Sequence, residues 1–174
     1  QDHPLPGHPH GIYAVQFPEG PERNAKAAEW FRANPHRLHL GNIGFDSLAV
    51  SDITEIDQTL DMWKGELHSH FLWRKLPVTV TTSCNGDSDI VSASVSSSAK
   101  LAVGIRFPYP TGQHADDACD WTKDELHETS FEQLSEGVAL IKRVLDETVY
   151  YVKLSYKNAS LEQTGRNRLI LTPS

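Results

Sequence analysis

From residue 36 to the C-terminus, apolar and polar side chains alternate with a period of two, in runs too short for long helices. Side chains of a strand point alternately to its two faces, so such a run buries one face and wets the other. The cleanest run sets Leu101, Val103, Ile105 and Phe107 against Ala102, Gly104 and Arg106. Val78 and Val80 oppose Thr79 and Thr81, and Val91, Ala93 and Val95 oppose Ile90, Ser92, Ser94 and Ser96. Tyr150, Val152, Leu154 and Tyr156 oppose Tyr151, Lys153 and Ser155. Ile56, Leu60 and Met62 share a face opposite Asp57, Thr59 and Asp61, and Lys64-Gly65 reads as the hairpin turn into a return strand over 66–73. Leu38 and Leu40 open the first run, with Gly41 and Gly44 bracketing a bend or bulge before Phe45. Val138 to Leu145 fits helix or strand, with its neighbours favouring strand. Residues 126–134 fit a strand or an irregular link. Leu169 and Leu171 form the last strand. Turn signals recur roughly every 8–12 residues, which predicts about ten short strands in an antiparallel β-sandwich.

The first 35 residues differ. Residues 1–11, rich in Pro, His and Gly, read as an extended arm, and 12–17 as a short strand. One short N-terminal helix is predicted over 21–34. Pro21 suits its first turn, Ala25, Ala27 and Ala28 favour it, and Asn34-Pro35 stops it, with Trp30 and Phe31 docking it on the sheet. Residues 108–125 read as a long acidic loop. The 174 residues fit a single domain, 1–174.

Composition narrows the function classes. The formal net charge of −7 leaves no excess of Lys and Arg to displace counterions, which argues against a nucleic-acid or anionic-membrane partner. No apolar run reaches the length of a membrane-spanning helix. Two cysteines, Cys84 and Cys119, are too few to build the fold; they read as one disulfide or as two thiols. Asn158-Ala159-Ser160 is an N-glycosylation sequon just after a strand-like run. The chain starts at Gln1 with no Met and no apolar leader, which reads as a processed N-terminus. Together these signs point to a secreted, extracellular protein.

Several constellations could carry chemistry. His68 and His70 lie two apart on a predicted strand and so share a face. A metal there would need a third ligand such as His127, Glu128 or His39, and no recognised zinc spacing supplies one. A polar cross-strand face is the plainer reading. His3, His8 and His10 in the arm read as an unspecific His-Pro tract. Asp116, Asp117, Asp120, Glu125 and Glu128 crowd the acidic loop around Trp121, and a solvated loop is the plainer reading than a glycosidase carboxylate pair or a calcium site. Trp63, Trp73 and Trp121 are candidate platforms for sugar rings, because pyranose C–H groups pack on an indole face. Flanking His68 and His70 would then read hydroxyl groups. No phosphate loop, nucleophile elbow or metalloprotease motif is present. The residues therefore point to no cofactor, no metal and no catalytic motif, and they leave partly buried core and a carbohydrate platform both open for the indoles.

Two segments carry a family resemblance. Asn34-Pro-His-Arg-Leu-His-Leu-Gly-Asn-Ile-Gly-Phe45 and Ile56-Asp-Gln-Thr-Leu-Asp-Met-Trp-Lys-Gly-Glu-Leu-His-Ser-His-Phe71 resemble the N-terminal part of six-hairpin glycosidase superfamily proteins of fungi and bacteria. Such proteins open with a β-supersandwich and continue into an (α/α)6 barrel that holds the acid and base carboxylates. The resemblance implies that this chain is the non-catalytic N-terminal β domain, or a fragment, of a secreted glycoside hydrolase-like protein. The helical remainder of that parent would pack on it, and loop 108–125 would reach the substrate cleft. A free-standing lectin-like domain is the alternative.

Overall fold

The computed structural model describes residues 2–4, 12–14, 26, 38–111 and 118–174. The chain is mainly β, with antiparallel sheets in a sandwich-like arrangement. The helix expected over 21–34 lies outside the described residues except for Lys26, which is helical. Among the described residues, β1 (Asp2–Pro4) pairs antiparallel with β2 (Ile12–Ala14), and the rest of the expected arm lies outside them.

The sandwich is built from two sheets. β3 (Asn42–Phe45), β8 (Val103–Arg106), β14 (Ala159–Gly165) and β15 (Arg168–Pro173) form one, in the order β14-β15-β8-β3. β11 (His127–Ser135), β12 (Val138–Leu145) and β13 (Thr148–Ser155) form the other as a meander. The ambiguous stretches at 126–134 and 138–145 are thus strands. Ile105, Leu169, Leu161 and Leu171 of the first sheet meet Phe131, Ile141, Val152 and Leu154 of the second, all from the inward parity of their strands. Gly41 precedes β3 with φ +116 and lies against the Phe107 ring; the expected bend before Phe45 gives way to regular pairing of β3 on β8. Between β11 and β12, Gly137 has φ +70, and a Cβ there would collide with the Tyr156 carbonyl oxygen. Gly137→Ala is expected to cost about 2–3 kcal/mol, read as a lower urea midpoint at unchanged slope.

A third sheet stands apart from the sandwich core. β4 (Ile53–Asp61), β5 (Glu66–Trp73), β6 (Leu76–Cys84) and β7 (Val91–Ser97) form a meander in chain order. Among the described residues it is anchored at one end, where Phe71, Val78, Ile53, Trp73 and Val80 pack with Phe45, Leu48, Ala99 and Leu101. Beyond that cluster the same side of the sheet carries exposed Leu60, Val91 and Val95. A bulge between Thr54 and Asp57, with Glu55 at φ +52, takes Ile56 out of the alternation the sequence suggested.

One row of the second sheet is polar yet buried. Thr129, Arg143 and Tyr150 stand directly opposite one another on β11, β12 and β13. Arg143 has no exposed surface. Its guanidinium donates to His127 Nδ1 (2.6 Å), Thr129 Oγ1 (2.5 Å) and Asn167 Oδ1 (2.7 Å), and lies 4.6 Å from the Phe107 ring centroid. Asn167 passes the link outward, donating to the backbone carbonyl and the carboxylate of Asp124. Tyr150 Oη donates to the His39 carbonyl oxygen, which ties the approach to β3 into the same row.

His127 is buried here, so it is no partner for His68 and His70. Because arginine only donates, His127 Nδ1 must accept, which fixes the neutral tautomer with its proton on Nε2. Burial, and then the Arg143 charge, hold its pKa below the ordinary 6.5. Between the folded and unfolded values the unfolded chain binds more protons. Stability is therefore full above about pH 6.5 and falls as pH drops through the folded value. Asp46, lowered by hydrogen bonds from Arg168 and Ser47, acts only below its ordinary 3.8. Urea midpoints between pH 7.5 and pH 5 should fall, and fall less in His127→Gln; equal slopes would contradict this assignment.

Candidate functional site

The free side of the β4–β7 sheet is polar from the Asp61–Glu66 end as far as Asp57 and His70, beyond which Leu72 and Pro77 follow. Strand register lines its side chains into three rows of four. Asp57, His70, Thr79 and Ser96 form the first; Thr59, His68, Thr81 and Ser94 the second; Asp61, Glu66, Ser83 and Ser92 the third. Neighbouring strands lie about 4.8 Å apart and successive rows roughly 7 Å, so the groups form a flat lattice. Acids gather toward β4, imidazoles on β5 and hydroxyls on β6 and β7.

Local hydrogen bonds hold these groups only loosely. His70 Nδ1 lies 3.3 Å from Thr79 Oγ1, and His68 Nδ1 lies 3.4 Å from Thr81 Oγ1. His68 Nε2 lies 3.3 Å from Glu66 Oε2. The shortest contact is Ser83 Oγ to Ser92 Oγ at 2.7 Å. Both imidazoles, Asp57, Thr59 and Thr79 are exposed. Long, exposed polar contacts exchange readily with a ligand's hydroxyl groups, because water already competes for them.

The third row ends in a shallow depression of about 400 Å³, lined by Lys64, Glu66, Ser83, Asn85, Ile90 and Ser92. The β4–β5 turn forms its rim. Asp61 Oδ1 accepts from the backbone N–H groups of Trp63 and Lys64, both at 3.1 Å, which winds the turn tightly. Gly65 supplies φ +66, and its carbonyl accepts from Cys84 N at 3.1 Å, pinning the turn to the end of β6. Trp63 stands on this pinned turn with 99% of its surface exposed. A fully exposed indole on an ordered turn leaves a large apolar face in water with nothing of its own chain to cover it.

The other tryptophans do not join this site. Trp73 lies at the far end of β5, roughly 25 Å of extended chain away, inside the anchoring cluster with Arg74 stacked over it at 4.9 Å. Its indole N–H is buried without an acceptor among the described residues. Trp121 follows β10 (Cys119–Asp120), which pairs with β9 (Tyr109–Pro110). It is half-exposed, under Arg106 at 5.3 Å. The acidic loop is therefore a hairpin in its stems, not a structureless segment, while Asp116 and Asp117 lie outside the described residues. Asp120 is held below the usual carboxylate range by hydrogen bonds from the Thr122 hydroxyl and N–H.

Among the described residues no three His, Cys, Asp or Glu side chains converge to hold a metal ion. Cys84 and Cys119 are not bonded to each other; Cys84 is an exposed thiol at the end of β6 and Cys119 sits on the β9–β10 hairpin, so the disulfide option falls in this structure. Asn158 is exposed at φ +55 in the β13–β14 turn. Sequence reasoning located Trp63, His68 and His70 but missed Lys64, Glu66, Ser83, Asn85 and Ser92. Glu66 shares parity with both histidines; the other members needed the register of β6 and β7.

Fold and site together define a mainly β domain with an open, hydroxyl-rich sheet face and an exposed indole on the β4–β5 turn beside it. No protein-family model, no curated protein and no solved structure matches the chain. No helix among the described residues is long and apolar enough to cross a membrane.

Proposed function

We propose that this domain binds carbohydrate without catalysing its cleavage, at the depression beside the Trp63 turn and along the rows that lead from it. The observation that carries this reading is the fully exposed Trp63 on the same turn as Lys64, which lines the depression. A sugar ring is apolar on its C–H face and polar around its edge. Trp63 offers the first surface; Glu66, Lys64, Ser83, Asn85 and Ser92 offer the second. His68 and His70 extend the polar rows along the sheet, which suits an extended oligosaccharide better than a small enclosed ligand. Trp73 and Trp121 drop out as platforms, since one is packed in a core cluster and the other stacked under Arg106. The test is tryptophan fluorescence or calorimetric titration of the intact chain with a panel of oligosaccharides, repeated on Glu66→Gln. Saturable binding that weakens several-fold in Glu66→Gln is expected; no binding across the panel would oppose the reading.

A fuller form makes the chain the N-terminal β domain of a secreted glycoside hydrolase-like protein whose (α/α)6 barrel packs against it. The opposite side of the same sheet favours it, because Leu60, Val91 and Val95 lie exposed there in line with the anchoring cluster. A free-standing lectin-like domain is the alternative. The mass of the polypeptide as its source makes it separates the two. The exposed Asn158 supports a secreted glycoprotein, and a mass loss on enzymatic deglycosylation of native material is the check.

A further inference from the structure

The two edges of the β4–β7 sheet are built differently. β4 is broken by its bulge, carries a left-handed Glu55, and bears Asp57 and Asp61. These features discourage strand addition. β7 has no bulge, and from Ile90 to Ala99 the chain holds no charged residue and no proline. β11 and β14, edges of the other sheets, carry bulges and Glu residues; β13 carries Lys153, and β3 is only four residues long. Among the described edge strands, β7 alone is long, regular and uncharged.

The parity of that edge follows from one hydrogen bond. Asn85 N donates to the Ile90 carbonyl at 3.0 Å, so these opposed residues are a hydrogen-bonded pair. Hydrogen-bonded and non-bonded pairs alternate along an antiparallel ladder. Continuing the register, Ser92, Ser94 and Ser96 turn their backbone groups toward β6. Val91, Ala93, Val95 and Ser97 therefore turn theirs out of the sheet.

We propose that two copies of this chain associate through β7, antiparallel, on a two-fold axis at Ser94. All seven residues of the strand are then used, and the outward groups meet their like. Val91 exchanges hydrogen bonds with Ser97 of the second copy, and Ala93 with Val95 of the second copy. The even offset keeps each face continuous, so Val95 packs beside Ala93 across the axis on the apolar side. Charge agrees at both ends. Lys100 reaches the turn of the second copy that carries Asp87 and Asp89. Within one chain none of these three has an ion-pair partner among the described residues. The pairing does not depend on the carbohydrate reading, though it doubles each polar row across the axis.

Ser94 lies at a non-hydrogen-bonded pair on the axis, where Cα atoms approach to about 4.5 Å, within disulfide range. Ser92 residues of the two copies would be roughly 13 Å apart, out of range. In a Cys84→Ser, Cys119→Ser background, mild oxidation of Ser94→Cys is expected to give a covalent dimer, while Ser92→Cys stays monomeric under denaturation. The parent chain should sediment as a dimer at tens of micromolar, with no ligand present. Ser94→Lys, which sets two like charges on the axis of an exposed strand, should keep its circular dichroism and raise the dimer dissociation constant at least tenfold. A parent that sediments as a monomer, or a Ser94→Cys chain that cross-links no faster than Ser92→Cys, would overturn the proposal.

Discussion

Arg143→Ala is expected to destabilise the fold by about 3–5 kcal/mol, the largest effect of any substitution considered. The guanidinium fills a site with no exposed surface and satisfies the acceptors of His127, Thr129 and Asn167. Alanine would leave all three facing a cavity between the two sandwich sheets. Arg143→Met keeps the volume and removes a buried charge that contacts no carboxylate among the described residues. Its loss should be smaller, about 1–3 kcal/mol, because the cost is then confined to unpaired acceptors. Urea midpoints at pH 7.5 with unchanged slope would read both values. An Arg143→Ala chain within about 1 kcal/mol of the parent would mean that the sandwich closes without this cluster.

Trp63→Ala is expected to do the reverse: leave the fold alone and remove binding. With 99% of its surface exposed, the indole contributes almost no burial, so stability should stay within about 0.5 kcal/mol of the parent. Sugar affinity should fall tenfold or more, since the stacked ring loses most of its apolar contact, worth about 1.5–3 kcal/mol. Trp121→Ala is the internal comparison. Its ring already stacks with Arg106, so its loss should leave sugar affinity within twofold. The contrast between two exposed indoles tests position rather than residue type.

Strand faces were largely legible in the sequence, and sheet membership was not. Period-two alternation assigns the faces of Val78–Thr81, Ile90–Ser96 and Leu101–Phe107 correctly, because parity is a local property. It says nothing of which strand is neighbour to which, so the separation of β4–β7 from the sandwich could not be read. At 138–145 the alternation was visible but ambiguous. Its strongest clue was a charge: Arg143 falls in phase with Ala139, Ile141 and Leu145, all buried. An arginine at core parity signals a buried polar cluster, yet its partners His127, Thr129 and Asn167 lie on other strands and required the register.

The site divided along the same line. Trp63 and Trp73 look close in sequence, but a straight strand sets them at opposite ends of the hairpin. His68 and His70 share a face by parity alone, as expected. Ser83 and Ser92 reach Glu66 only because β6 and β7 fold back in register beside it. The glycine at position 65 was legible as a turn residue; that it clamps the turn to Cys84 depends on where β6 ends.

The most direct test of carbohydrate binding at the pinned turn is the ratio of oligosaccharide affinities between the parent chain and Trp63→Ala, measured by calorimetric titration on the same glycan. A parent that binds saturably and a folded Trp63→Ala chain that binds at least tenfold more weakly is the expected result. Equal affinity in the two proteins, or no glycan bound by the parent, would contradict it.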